Sequence, residues 1–212
     1  MRATATHWVY EAQNWLSKPD FKSRLNIQSL QTNLLLLLAR ETINVGGELV
    51  WISAGARMAV YMGLHRDPVH LSKRTTFAAE MYRRLWNTIL EMTLQSSIIS
   101  GGPPFVSLDY FDTKAHGNFD DDQLMAKDPV PKLDDNFTQV SIAITLRKTF
   151  PLRVAITKFL NDLGSHGTYE ETLKLDTDLK ASYKPYVKCF KDPIQVLNLR
   201  HLNLKYVWWT FS

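Results

Sequence analysis

Cysteine is all but missing from this chain of 212 residues: Cys189 stands alone. One thiol cannot form a disulfide within the chain, and with dispersed histidines it cannot build a closed tetrahedral zinc site. A reducing compartment is compatible with that usage. Lys188 and Lys191 flank Cys189 and could lower its pKa, but a buried inert thiol is the commoner fate. Long apolar runs are also lacking. Leu34 to Leu38 is bounded by Asn33 and Arg40, far short of the roughly 20 residues that span a bilayer, so no membrane partner is expected. Met1 to Thr6 has no apolar stretch before Trp8 and no small-residue cleavage site, so no signal peptide is expected there. There is no internal repeat, no low-complexity tract and no sustained two-residue alternation, although Phe105 to Leu108 could pair locally as a strand.

What is present is a folded composition, 45% hydrophobic and 11% aromatic. The net charge is +4 with an isoelectric point near 9.1, a mild excess that more often serves solubility than an anionic partner. Its distribution is uneven: Gly101 to Asn136 holds eight Asp and three Lys. A basic body with an acidic loop follows.

Apolar residues recur at helical spacing through most of the chain. An opening helix over about Ala5 to Ser17 should turn Trp8, Ala12 and Trp15 to the core, with Pro19 ending it. A second helix from about Asn26 to Thr42 carries Ile27, Leu30, Leu34, Leu37 and Leu38, and Gly46 and Gly47 separate it from the next. Around residues 51–104 two helices flank a break from Gly63 to Pro68. Gly55, Ala59 and Gly63, four apart, predict a close helix crossing. Ala78, Met81, Leu85, Ile89, Met92 and Ile99 predict the core stripe of the second helix. Glu80 can pair with Arg83 or Arg84 on a charged outer face. A long irregular loop, 101–135, should be pinned by Phe105, Leu108, Tyr110 and Phe111. Helix returns from Phe137 to Leu163, kinked or restarted at Pro151, with Asp134 and Asp135 as candidate caps. A charged helix follows from Tyr169 to about Lys184. Pro193 to Ser212 is again apolar at helical spacing and ends on Val207, Trp208, Trp209 and Phe211. Those residues, and a start that enters a helix almost at Met1, suggest a single helical domain over 1–212, cut at both ends and prone to associate through an exposed patch. The expected class is all-α, an irregular multi-helix bundle with one long acidic loop and consecutive helices as neighbours.

The central stretch carries a resemblance. Gly55, Arg57, Met58, Ala59, Gly63, Leu64, His65, Arg66 and Asp67 match in order. Glu80, Arg83, Arg84, Leu85, Trp86, Ser100, Gly102, Pro103 and the run Asp120 to Asp122 follow. Together they resemble the middle homology region of fungal binuclear zinc-cluster transcription factors, with residues 46–125 as the best-matching core. Departures fall at Tyr82, at Asn87, at Gly101 with Gly102, and at His116 with Gly117. The resemblance implies a regulatory or interaction region in a nuclear transcription factor. It would work through protein partners or self-association, with room for a small-molecule effector. Zinc and DNA binding would belong to an N-terminal module absent from this chain.

No catalytic, cofactor, metal or DNA-binding residue is expected in the chain itself. His65, Arg66 and Asp67 spell the catalytic-loop triplet of protein kinases, but Ser72 stands where a metal-holding Asn is required and no glycine-rich phosphate loop precedes. The expected role of His65 and Arg66 is to cover the last carbonyls of the central helix. Asp109, Asp112, His116, Asp120, Asp121 and Asp122 could gather round a hard cation, yet the spacing fits no EF-hand, and a solvated acidic loop is the plainer expectation. No Gly-x-Ser-x-Gly elbow, helix-turn-helix or basic stripe joined to aromatics is present. The competing expectations are a helical enzyme with a cryptic site in the acidic loop, and a truncated, nonfunctional gene product.

Overall fold

The computed structural model describes residues 2–17, 25–43, 48–133, 136–164 and 167–187. Among these the chain is all-α, with seven helices and no strand. They are α1 (Arg2–Leu16), α2 (Ile27–Ile43), α3 (Glu48–Tyr61), α4 (Thr76–Ser100), α5 (Asp121–Leu124), α6 (Ser141–Asn161) and α7 (Tyr169–Val187). Neighbours in sequence pack on one another from α1 to α4. Helix α4 then packs on α6, and α6 on α7. Phe105 to Leu108 forms no strand, and a short 3-10 turn runs over Leu108–Tyr110 instead. Asn26 starts α2, its side-chain oxygen accepting from the Ser29 amide at 2.8 Å. Thr75 caps α4 by accepting from the Ala78 amide at 3.2 Å, and Gly101 closes that helix in the left-handed region at φ 66°.

The core is one apolar cluster. Leu30, Leu34 and Leu37 of α2 meet Ala56, Met58 and Ala59 of α3, Leu85, Trp86, Ile89, Leu90 and Leu94 of α4, and Phe150 and Val154 of α6. Burying such side chains is worth about 1.5–3 kcal/mol each, so this cluster rather than the outer helices supplies most of the apolar stabilisation. The buried face of α4 is rotated from the expected stripe. Leu85 and Ile89 are in it, but Ala78, Met81 and Met92 are only half-buried and Ile99 is 58% exposed, while Tyr82, Trp86, Leu90 and Leu94 are buried. Helix α4 is covered on two sides, by α3 and by α6, so its buried arc is broader than one stripe.

The opening helix also departs from expectation. Val9 and Leu16 are its buried residues, whereas Trp8 is 65% and Trp15 44% exposed. Among the described residues helix α1 packs chiefly on α2, and one main neighbour covers a narrow arc. In α2, Leu30, Leu34 and Leu37 are buried as expected, and Leu38 is half-exposed. Helix α6 runs unbroken through Pro151. The buried hydroxyls of Thr145, Thr149 and Thr157 donate to carbonyls four residues back in the same helix, which satisfies them without an outside partner. Leu160 lies exposed, while Ile144, Val154 and Ile156 are buried. The expectations for Pro19, Gly46, Gly47, Asp134, Asp135, Cys189 and Pro193 to Ser212 lie outside the described residues. No helix among the described residues is long and apolar enough to cross a membrane.

The glycines expected to share one crossing separate into two roles. Gly55 is at a true close approach, but to α2: a Cβ there would lie 2.9 Å from Asn33 Oδ1. Gly63 is not in a crossing at all. It stands just past α3 at φ 81° with nothing near its Cβ position, and the Leu64 amide donates back to the Ala59 carbonyl at 2.9 Å, the bond that closes a helix around a left-handed residue. Gly55→Leu should therefore cost about 1–3 kcal/mol by overpacking. Gly63→Ala should cost about 1 kcal/mol by backbone strain alone, and Gly63→Asn less than that. Urea unfolding midpoints measure all three, and an Asn substitution as costly as Ala would contradict the strain account.

Candidate functional site

The chain leaving α3 at Gly63 presents His65, Arg66 and Asp67, and Asp67 is fully buried. A buried carboxylate must be matched by donors. Four are supplied: Arg83 Nε at 3.1 Å and Nη2 at 2.8 Å, the Val69 amide at 3.1 Å and the Lys114 amide at 2.9 Å. The two arginine nitrogens grip the two carboxylate oxygens as a fork, the geometry that makes arginine rather than lysine suited to this place. Arg83 turns its remaining Nη1 to Glu80 Oε1 at 2.7 Å, and Glu80 Oε2 accepts from the Gly117 amide at 2.7 Å. Glu80 is only 2% exposed. The pairing of Glu80 with Arg83 is as expected, but it lies inside the fold and not on a charged outer face.

Through these bonds the loop is sewn across the junction of α3 and α4. The Asp112 amide donates to the His65 carbonyl at 3.0 Å and its carboxylate accepts from the Asp67 amide at 2.7 Å. Thr113 donates its hydroxyl to the Leu64 carbonyl at 2.6 Å. Arg84 reaches the Phe119 carbonyl at 3.0 Å and the Asp121 carboxylate at 2.6 Å. The end of α3 is thus covered by the loop, and not by His65 and Arg66: Arg66 pairs with Asp112 at 3.2 Å, and His65 stacks edge-on to Trp86 at 6.3 Å. Trp86 continues to Phe111 at 5.7 Å, and Phe111 to Phe150 at 6.4 Å. Arg147 lies 5.1 Å over the Phe111 ring and donates to the Thr113 carbonyl at 3.1 Å. Phe111 pins the loop as expected. Phe105, Leu108 and Tyr110 are exposed, and the other anchors are Phe119 and Leu124 with buried Thr113, His116 and Asn118.

The loop carboxylates are dispersed. Asp121 is held by Arg84, Asp120 by Lys132 and the Gln139 amide, and Asp112 by Arg66, while Asp109 and Asp122 face solvent. His116 is buried near Glu80 and Arg84, away from the aspartates. No three of His, Cys, Asp and Glu among the described residues come together as metal ligands do. The donor set does not fit the zinc cluster that the resemblance attaches to full-length proteins. A second pair joins a buried arginine to a half-buried glutamate: Arg153 forks onto Glu91 at 2.8 and 2.5 Å and donates to the Leu146 carbonyl at 2.7 Å. Sixty-two positions separate those partners, and no local spacing signals such a contact.

Electrostatics follow from the geometry. Burial by itself pushes the Asp67 carboxyl up, but the Arg83 fork, the two amides and the Arg83 charge together outweigh it and hold the group well below the usual carboxylate range. The same pairing raises Arg83 against its burial. Burial pushes His116 down and Arg84 adds to that, against the Gly117 carbonyl and Glu80. The arrangement engages both carboxylate oxygens of Asp67 with nitrogen donors and buries them. It is a latch.

The family model described as the fungal specific transcription factor domain matches residues 2–201. The chain belongs to that family. It is similar to the transcription factor lepE of Aspergillus flavus, 38% identical over 185 residues, covering 86% of this chain and 22% of that protein. It is also similar to the transcription factor opdR of Penicillium oxalicum, 39% identical over 196 residues, covering 90% of this chain and 25% of that one. The transcription factor asR3 of Sarocladium schorii is 39% identical over 179 residues, 82% of this chain and 21% of its own. The chain spans about a quarter of the length of the curated relatives it matches. No solved structure matches it.

Two outcomes test the latch. Arg83→Met leaves Asp67 and Glu80 buried without their cation and should cost about 3–5 kcal/mol. Adding Asp67→Asn should recover part of that loss, because one stranded charge is gone; a double variant less stable than the single one would refute the latch. The second outcome concerns pH. A histidine whose folded pKa is depressed contributes stability that is full above its unfolded pKa, about 6.5, and is lost as pH falls toward the folded value. Asp67, also depressed, holds its contribution down to about pH 3.9 and loses it only below that. Unfolding midpoints should therefore drop between pH 7 and 5, and His116→Gln should flatten that slope; an unchanged slope would remove His116 from the account.

Proposed function

We propose that this chain is a regulatory and interaction region of a fungal zinc-cluster transcription factor, with residues 46–125 as its structural core. It acts in the nucleus by contact with protein partners, and DNA is read by a module outside these residues. The observation that carries the reading is the use made of the motif residues. Asp67, Glu80, Arg83 and Arg84 are spent on each other and on loop amides, so they frame a surface and do not line a site. A single cysteine and the scattered arginines give no means of reading base edges. The names of relatives narrow the role: one, 33% identical, is the aspyridones cluster regulator apdR of Emericella nidulans, and another is the equisetin cluster transcription factor eqxF of Fusarium heterosporum. Control of a gene cluster is the corresponding reading here. The enzyme alternative is less well supported, because the loop carboxylates are dispersed onto arginine, lysine and backbone partners.

A reporter assay tests it. Residues 1–212 fused to an unrelated DNA-binding module should change transcription from a promoter bearing that module's site, relative to the module alone. Arg83→Met should abolish the change. Transcription indistinguishable from the bare module, with the fusion folded and nuclear, would sink the proposal.

A further inference from the structure

Between the Asp67 latch and α4 the chain runs through an exposed strap, Ser72 to Thr75, that enters the helix at Thr76 and Phe77. Every residue from Ser72 to Phe77 is exposed. Lys73 and Arg74 stand three and two positions before Thr76, and Phe77 follows it as a half-exposed apolar residue. From this juxtaposition we propose that Thr76 is a phosphorylation site for a protein kinase whose acidic substrate groove reads paired basic residues. Opposite charges across such a groove select the substrate and fix its register.

Two other hydroxyls show why the position is Thr76. Thr75 is committed to the cap of α4, its oxygen accepting from the Ala78 amide. Thr149 also follows a basic pair, Arg147 and Lys148, but it is 2% exposed and its hydroxyl donates to the carbonyls of Thr145 and Leu146. Sequence alone would rank Thr149 with Thr76. Burial removes it. In the transfer, the Thr76 oxygen attacks the terminal phosphorus of a nucleoside triphosphate. The bond from that phosphorus to the bridging oxygen breaks, the nucleoside diphosphate leaves, and the hydroxyl proton passes to the base of the kinase. The product adds about two negative charges beside Lys73 and Arg74, in a first turn that holds no acidic residue. It also stands one helical turn before Glu80, the residue that holds Gly117.

The test uses the folded chain, a basic-directed serine/threonine kinase, magnesium and labelled ATP, with the label mapped by mass spectrometry. Label should enter at Thr76, vanish in Thr76→Ala and persist in Thr76→Ser and Thr75→Ala. Replacing Lys73 and Arg74 together with Ala should lower kcat/KM for Thr76 by about tenfold or more. Label at Thr76 only after urea unfolding, label placed elsewhere in the folded chain, or labelling indifferent to Lys73 and Arg74 would each overturn the proposal.

Discussion

A fully buried carboxylate, Asp67, sets the constraint on which the rest of the structure depends. It follows the left-handed turn at Gly63 and is gripped by Arg83 from the next helix and by Lys114 from the loop. Such a pair adds little net stability compared with a well-packed apolar equivalent, because both charges give up their hydration. What it supplies is position. A carboxylate fork has one good orientation, so the end of α3, the first half of α4 and the loop are held in one register. Glu80 extends the register to Gly117, and Arg84 extends it to Phe119 and Asp121.

The loop is therefore part of the frame, although it contains only short turns of helix. Glu80 of α4 takes its Gly117 amide, Arg84 of α4 its Phe119 carbonyl, Asp67 its Lys114 amide, and Asn118 donates to the carbonyls of Leu133 and Asn136. A long connection without secondary structure of its own needs that kind of accounting, since buried amides left unpaired are costly. Behind it, Phe111 fills the space between Trp86 and Phe150, linking the polar latch to the apolar cluster. The Glu91 and Arg153 pair fixes α4 to α6 in the same manner one side further round. With the family residues committed to this frame, what distinguishes one member's partners from another's must be sought on exposed surfaces.

Several features were readable from local pattern. Helices over 27–43, 141–161 and 169–187 follow from three-and-four spacing, and the pairing of Glu80 with Arg83 follows from their separation in a helix. The triplet His65, Arg66 and Asp67 was visible as a motif, but its role was not. Asp67 lies 45 and 47 positions from its loop partners, and no period reports on that. The exposure of Trp8 and Trp15 is hidden from the sequence for a related reason: helical spacing shows that a face is apolar, but not whether a neighbour exists to cover it.

What the sequence by itself determined is the class of structure and the chemistry it can lack: helices from periodicity, and no cysteine framework from a single thiol. Those properties depend on residues close together in the chain or on simple count. Only the tertiary structure decided which charges are buried, that Gly55 meets α2 while Gly63 turns the chain, and that the acidic loop is locked to α4. Each of these depends on pairs brought together by closure of long stretches of chain, and the energy of a buried charge is set by what surrounds it, not by what precedes it.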